Sequence, residues 1–368
     1  MAVAGPPGRT VVVKVGTSSI TDAGGFVLDA SITKLCSEVA ALRAGGDQVI
    51  VVTSGAIAAG LRVLDLARPN DPALLQAVAA VGQTRLMGHY ERAFGGLGLT
   101  AGQVLLAPLD FVNRAQYLHA RQTLWLLLSL GVVPVVNEND AVADDEIRFG
   151  DNDRLAALVA HLVRAELLVL LTDAAGLLTA DPRYHQEASL VEEVAEVDQV
   201  LSMAGGAGSA RGSGGMASKL AAAKIAAWSG VPVVIASAER PEVLQDAAAG
   251  VPGVGTFVKA RSGRLPARKL WIAFALAPAG TVVVDAGAKK ALMERGVSLL
   301  PAGVREVHGE FQAEDAVEVA GPDGTVFAKG LVRHGAKDLA QWSGWQSSRL
   351  PPDVPPEVVH RDDLVILP

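Results

Sequence analysis

A single cysteine, Cys36, stands in 368 residues, which excludes an internal disulfide and any cysteine-built zinc site and fits a reducing compartment. Set in a helical pattern, it reads as a small buried apolar residue. Aromatic residues are scarce at 4%, so the core must be built from Ala, Val and Leu, a composition that suits close-packed α/β layers better than a β-sandwich. A surplus of positive charge is missing too. The formal net charge is −7, which argues against nucleic acid as the main partner. No apolar run is long enough to cross a bilayer. The longest, Leu124 to Val136, spans 13 residues and contains Gly131 and Pro134, against the roughly 18–20 that a membrane helix needs. The opening MAVAGPPGRT has no charged segment leading into an apolar stretch, so no secretory signal is expected. Together these absences predict a soluble, cytoplasmic protein.

What is present is rhythmic. Half of the residues are hydrophobic, and the length suggests two domains. Up to about residue 240, Val/Leu/Ile-rich runs at 11–16, 49–54, 100–107, 132–137, 167–173 and 231–237 alternate with segments of helical i, i+3, i+4 spacing that end near glycines such as Gly45, Gly131 and Gly230. Strands apolar on both faces and joined by helices form a doubly wound, mainly parallel sheet sandwiched by helices. After residue 260 the texture changes to short strands with turn signals such as Pro322-Asp323-Gly324, interrupted by the helical AKKALMERG. The expected division is a catalytic domain over 1–260, a linker over 261–277 and a small, mostly β domain over 278–368.

In open parallel sheets ligands gather beyond the carboxyl ends of the strands, and polar residues collect there. Lys14-Val15-Gly16-Thr17-Ser18 closes the first apolar run, Thr53-Ser54-Gly55 the second, Asn137-Glu138-Asn139-Asp140 the fourth and Thr172-Asp173 the fifth. Lys14 is the most informative, because a lysine ending an apolar strand is costly without a negative partner. Asn152 and Asp153 open an apolar helix, where they serve either as N-caps or to orient lysines or bind a substrate ammonium group. The histidines show no metal-ligand spacing. The stretch GSGGMASK, residues 212–219, suggests a phosphate loop, yet it is neither of the two familiar kinds. No glycine immediately precedes Lys219 as in G-x-x-x-x-G-K-[ST], and no buried strand precedes Gly212 as the dinucleotide fingerprint requires.

Taken in order, Lys14-Val15-Gly16-Thr17-Ser18, VTSGAIAAG (52–60), NENDAV (137–142), GDND (150–153), Leu171-Thr172-Asp173, TADPR (179–183) and Gly214-Gly215-Met216-x-x-Lys219 resemble the glutamate 5-kinases, members of the amino acid kinase fold, some of which carry a C-terminal PUA domain. DAGAKKALMERGVSLLPAGV resembles the start of that domain. The resemblance implies phosphoryl transfer from ATP, with Mg²⁺, to the γ-carboxylate of L-glutamate, the first step towards proline. It further implies feedback inhibition by proline and assembly as homodimers or homotetramers. By the same resemblance Ser54, Asp140 and Asn152 hold glutamate. Lys14, Thr172, Asp173, Ser213, Gly214, Gly215, Met216, Ala217, Ser218 and Lys219 hold ATP. Lys14 and Lys219 flank the transferring group, and Asp153 positions both; no protein metal cage is expected. His119 departs from the family's Y-x-N-A pattern, and Ala174-Ala175 from its more polar nucleotide loop. Two readings compete: a sister enzyme of the same fold with another carboxylate or nucleotide acceptor, and an RNA-binding protein. RNA is disfavoured, because residues 278–368 carry 9 Lys/Arg against 13 Asp/Glu. A basic patch around Lys289, Lys290 and Arg295 is its remaining support.

Overall fold

Valine and leucine runs with no polar face can be buried only between two layers, and that is how they are used. The computed structural model describes residues 8–367 apart from 23, 112, 143–151, 181–183, 186, 198–199, 201–213 and 275. The chain divides into two compact units, Met1–Arg264 and Leu265–Pro368.

The first unit is built on strands β1 (Thr10–Lys14), β2 (Gln48–Val52), β3 (Ala101–Leu106), β4 (Val133–Glu138), β5 (Leu167–Thr172), β6 (Glu193–Val194), β7 (Val233–Ser237) and β8 (Gly255–Val258). They lie in the order β3-β4-β2-β1-β5-β7-β8-β6. Pairing is parallel from β3 through β7, whereas β8 runs antiparallel to β7. β1 and β5, at the centre, are buried along their whole length.

The helices are α1 (Thr17–Ile20), α2 (Asp29–Ala44), α3 (Ala56–Val63), α4 (Pro72–Gly95), α5 (Arg114–Ser129), α6 (Asn152–Val163), α7 (Gly214–Trp228) and α8 (Val243–Ala249). Sequence signals set several of their starts. Asp71 accepts from the amide of Ala73 ahead of Pro72, and Asn113 accepts from Ala115 and Gln116. Val11, Val13 and Val15 pack with Val39 of α2, Tyr90 and Phe94 of α4 and Leu244 of α8. α6 covers the opposite face, packed against β1, α5 and α7. Cys36 is buried in the first of these layers, and burial pushes its thiol up to about 12, so it is chemically quiet.

α3 and α4 approach unusually closely. A Cβ on Gly60 would lie 2.0 Å from the carbonyl oxygen of Val78, and one on Gly82 would lie 1.8 Å from that of Ala56. Only glycine permits this contact.

α6 also carries a buried histidine. His161 faces the Tyr117 ring at 6.4 Å, its Nδ1 has no partner among the described residues, and burial together with Arg264 and Arg164 lowers its pKa to about 4. The neutral ring is therefore the folded form. Its contribution to stability is complete above pH 6.5, the unfolded value, and is lost as pH falls from there towards 4, by about 3 kcal/mol in all. Urea midpoints measured from pH 7 to pH 4 should thus fall more steeply for the native chain than for His161→Gln; parallel slopes would show that the ring takes up its proton without cost.

In the second unit β9 (Gly280–Val284), β10 (Val304–Gly309), β11 (Ala316–Ala320), β12 (Val326–Val332) and β13 (Val359–Ile366) form a sheet in the order β10-β9-β11-β12-β13. Its core is Val282, Val284, Phe311, Val317, Val319, Phe327 and Leu364. Three helices accompany it: α9 (Ala267–Phe274), α10 (Ala286–Arg295) and α11 (Ala336–Trp342). α9 lies inside the segment expected as a linker. It is ordered because Leu270 and Ile272 are fully buried and because the buried Lys329 of β12 donates to the carbonyls of Ala273, in the last turn of the helix, and Leu276, just past its end. In the basic patch of this unit, Lys289 is already engaged. It lies 3.5 Å from Asp323 and 5.5 Å from the centre of the Phe327 ring.

Candidate active site

Parallel strands all end on one edge, so the sequence clusters that follow β1, β2, β4 and β5 meet there. Lys14 is the last residue of β1 and only 2% exposed; Asp153, in the first turn of α6, is fully buried. The Lys14 ammonium lies 2.5 Å from Asp153 Oδ1. On the other side Lys219 of α7 donates to Asp153 Oδ2 at 3.0 Å, and the Ser218 hydroxyl donates to the same oxygen at 3.1 Å. One buried carboxylate thus holds two lysines at the carboxyl edge of the sheet. A carboxylate with no counter-ion would not be buried there, nor would either lysine. Gly16 lies close by: a Cβ on it would come within 3.7 Å of the Lys14 ammonium.

Beside the lysines runs a line of amides. Asn152 Nδ2 donates to the carbonyl of Thr53, to Ser54 Oγ at 3.2 Å and to Asn137 Oδ1 at 2.7 Å. Asn137 Nδ2 donates to Gln83 Oε1 at 2.8 Å, and Gln83 Nε2 to Gln103 Oε1 at 2.9 Å. Thr53 Oγ1 and the Tyr90 hydroxyl are 2.7 Å apart in the core, where burial raises the phenol's pKa and keeps it neutral. Gly55, at φ +102°, supplies the left-handed turn that carries Ser54 from β2 into α3.

Lys14, Asp153, Lys219, Ser54 and Asn152 are thereby brought into one connected set. Asp140 lies in the turn after β4, half-buried. Thr172, buried at the end of β5, donates to the exposed Asp173 carboxylate at 3.0 Å. Gly214, Gly215, Met216 and Ala217 form the first turn of α7, and Ser213 lies outside the described residues. In α7, Lys219 lies one turn on from Gly215. His119, on α5, is exposed.

Gln83, Gln103 and Tyr90 were not singled out from the sequence. A signal did exist for Gln83. In α4 the buried positions Ala79, Leu86 and Tyr90 follow a 3.6-residue stripe, and Gln83 occupies a place on it where an apolar residue is expected.

Residues 9–237 match the amino acid kinase family, and residues 280–350 the PUA domain. The chain is 46% identical to glutamate 5-kinase of Photobacterium profundum, over 98% of this chain and 97% of the relative. It is 46% identical to that of Burkholderia multivorans, over 98% of both, and 45% identical to that of Mycobacterium ulcerans, over 97% and 96%. The chain belongs to the glutamate 5-kinases of the amino acid kinase family. Among solved structures, carbamate kinase from Giardia lamblia bound to AMP-PNP superposes with a TM-score of 0.51 at 16% identity, over 69% of this chain and 99% of that one, a likeness of fold. The glutamate 5-kinase motifs VTSGAIAAG and NENDAV fall in this structure on the β2–α3 turn and on the end of β4, where Asn152 joins them. No described helix is long and apolar enough to cross a membrane.

Proposed function

We propose that this protein transfers the γ-phosphoryl group of ATP to the γ-carboxylate of L-glutamate, giving γ-glutamyl phosphate and ADP, the first step of proline biosynthesis. The observation that carries the reading is the pair of lysines on one buried carboxylate. In this transfer a carboxylate oxygen of glutamate attacks the γ-phosphorus while the bond to the β,γ-bridging oxygen breaks, and negative charge spreads over the equatorial oxygens. Two anions must meet, so fixed cations supply most of the help. Lys14 and Lys219 are already held in place by Asp153, so little reorganisation is needed when charge develops.

In this reading Ser54, Asp140 and Asn152 hold glutamate. Thr172, Asp173 and residues 213–219 hold the nucleotide, with Lys14 reaching its phosphates. The described residues contain no cluster of three His, Cys, Asp or Glu able to hold a metal. A Mg²⁺ bound with the nucleotide would neutralise phosphate charge. The family reading adds inhibition by proline, a homodimeric or homotetrameric assembly and a cytoplasmic location. It also assigns residues 1–260 to catalysis and 278–368 to a PUA domain for which RNA is a disfavoured ligand.

The deciding experiment measures ADP release from Mg-ATP with L-glutamate, L-aspartate, N-acetylglutamate, carbamate and UMP, with hydroxylamine present to trap an acyl phosphate. Hydroxamate from glutamate alone, suppressed by proline, is the expected result. Turnover with a different acceptor would overturn the acceptor while sparing the lysines, and absence of turnover would overturn the kinase reading.

A further inference from the structure

The line of amides from Asn152 to Gln103 has a fixed direction. The Thr53 carbonyl can only accept, so the group of Asn152 that faces it must be Nδ2. The backbone amide of Glu138 can only donate, and it donates to Asn137 Oδ1 at 2.9 Å, so Asn137 turns its oxygen towards Asn152 and its nitrogen towards Gln83. Gln83 must then accept with Oε1 and donate with Nε2 to Gln103. The three inner amides are nearly dry, at 7%, 1% and 8% exposure for Asn152, Asn137 and Gln83, whereas Gln103 is exposed on the edge strand β3. Neither Asn137 nor Gln83 can flip without setting like groups against each other in a medium where an unpaired donor is costly. The Nδ2 of Asn152 is fully used, which leaves Oδ1 as its free acceptor among the described residues.

We propose that Gln83 is a positioning residue for the acceptor substrate: together with the Thr53 carbonyl and the Glu138 amide, and acting through Asn137, it holds the Asn152 amide so that its oxygen is presented to the substrate's ammonium group. This rests on the reading that Ser54 and Asn152 face glutamate. Gln83 touches neither substrate, so its loss acts on one KM and leaves the lysines unchanged.

Steady-state kinetics of Gln83→Met and Gln83→Glu test this. In Gln83→Met, Asn137 loses its acceptor. KM for glutamate should rise about tenfold, the ratio that goes with one buried hydrogen bond, while kcat and KM for ATP stay within about twofold. Gln83→Glu keeps an acceptor facing Asn137, and Gln103 can turn its nitrogen to it, so KM should return to within about threefold of the native value at neutral pH. A folded Gln83→Met with unchanged KM for glutamate overturns the proposal. So does an equal rise in both KM values, or a Gln83→Glu no better than the methionine variant. Should Gln83→Met fail to fold, the surface variant Gln103→Met decides: a selective rise in KM for glutamate supports the relay, and none overturns it. Ser54→Ala separates the two levels. If it raises KM for glutamate and Gln83→Met does not, the relay alone fails; if it too has no effect, the acceptor pocket has been misplaced.

Discussion

Replacing Lys219 with alanine lowers kcat by about 10²–10³, with a much smaller change in KM for either substrate, the signature of an interaction made mainly in the transition state. The expectation follows from the charges around Asp153. With both lysines present, one buried carboxylate faces two cations. Removing Lys219 takes away one of the two fixed cations that would meet the charge developing on the transferring phosphoryl group. Lys14→Ala should act alike, because the two lysines flank the same carboxylate. Asp153→Asn differs in kind: it takes the shared carboxylate away from two buried ammonium groups, and breaking a buried pair in this way costs about 3–5 kcal/mol of stability. Rapid-mixing or steady-state kinetics give the first effect and urea unfolding the second. An unchanged kcat in Lys219→Ala would remove that residue from the mechanism.

Gly82→Ala should destabilise the first unit by about 3 kcal/mol, although alanine is the better helix former by about 1 kcal/mol. The added Cβ would fall 1.8 Å from the Ala56 carbonyl oxygen and 2.4 Å from the Gly60 nitrogen, both backbone atoms with no rotamer to yield. α3 would have to move, and α3 begins two residues after Ser54. The same substitution should therefore also weaken glutamate binding. Thermal unfolding checks the first statement and KM for glutamate the second. A variant as stable as the native chain would mean that the helices can separate freely.

This pair of helices also marks where the sequence could be read and where it could not. Strands β1, β2, β4, β5 and β7 were legible because apolar runs buried on two faces admit few alternatives, and Lys14 was legible because it breaks such a run. Gly60 belongs to a recognisable motif, but its reason, a partner helix pressed onto it at Val78, is a tertiary fact. α7 includes Gly214 and Gly215, residues of low helix propensity that a pattern of apolar spacing does not pick out. β8 is only four residues long and contains a glycine, too little pattern to reveal an antiparallel strand. Gln83 broke an apolar stripe visibly enough, yet its partners Asn137 and Gln103 are strangers to it in sequence. The Asp153 trio was implied by the resemblance to the glutamate 5-kinases, since spacing alone left Asp153 equally an N-cap. That a serine hydroxyl would join it at Oδ2 was not, since Ser218 reads equally well as a contact to nucleotide.

The lysines and their carboxylate come from three elements made at very different times as the chain is synthesised. β1 and α6 can pair Lys14 with Asp153 before α7 exists. Only the docking of α7 adds the second lysine. Affinity for an anionic nucleotide is thus a property of the last step of assembly and not of any earlier intermediate. A nucleotide present during folding would bind the finished unit and not its precursors, and by mass action would draw the chain through that step.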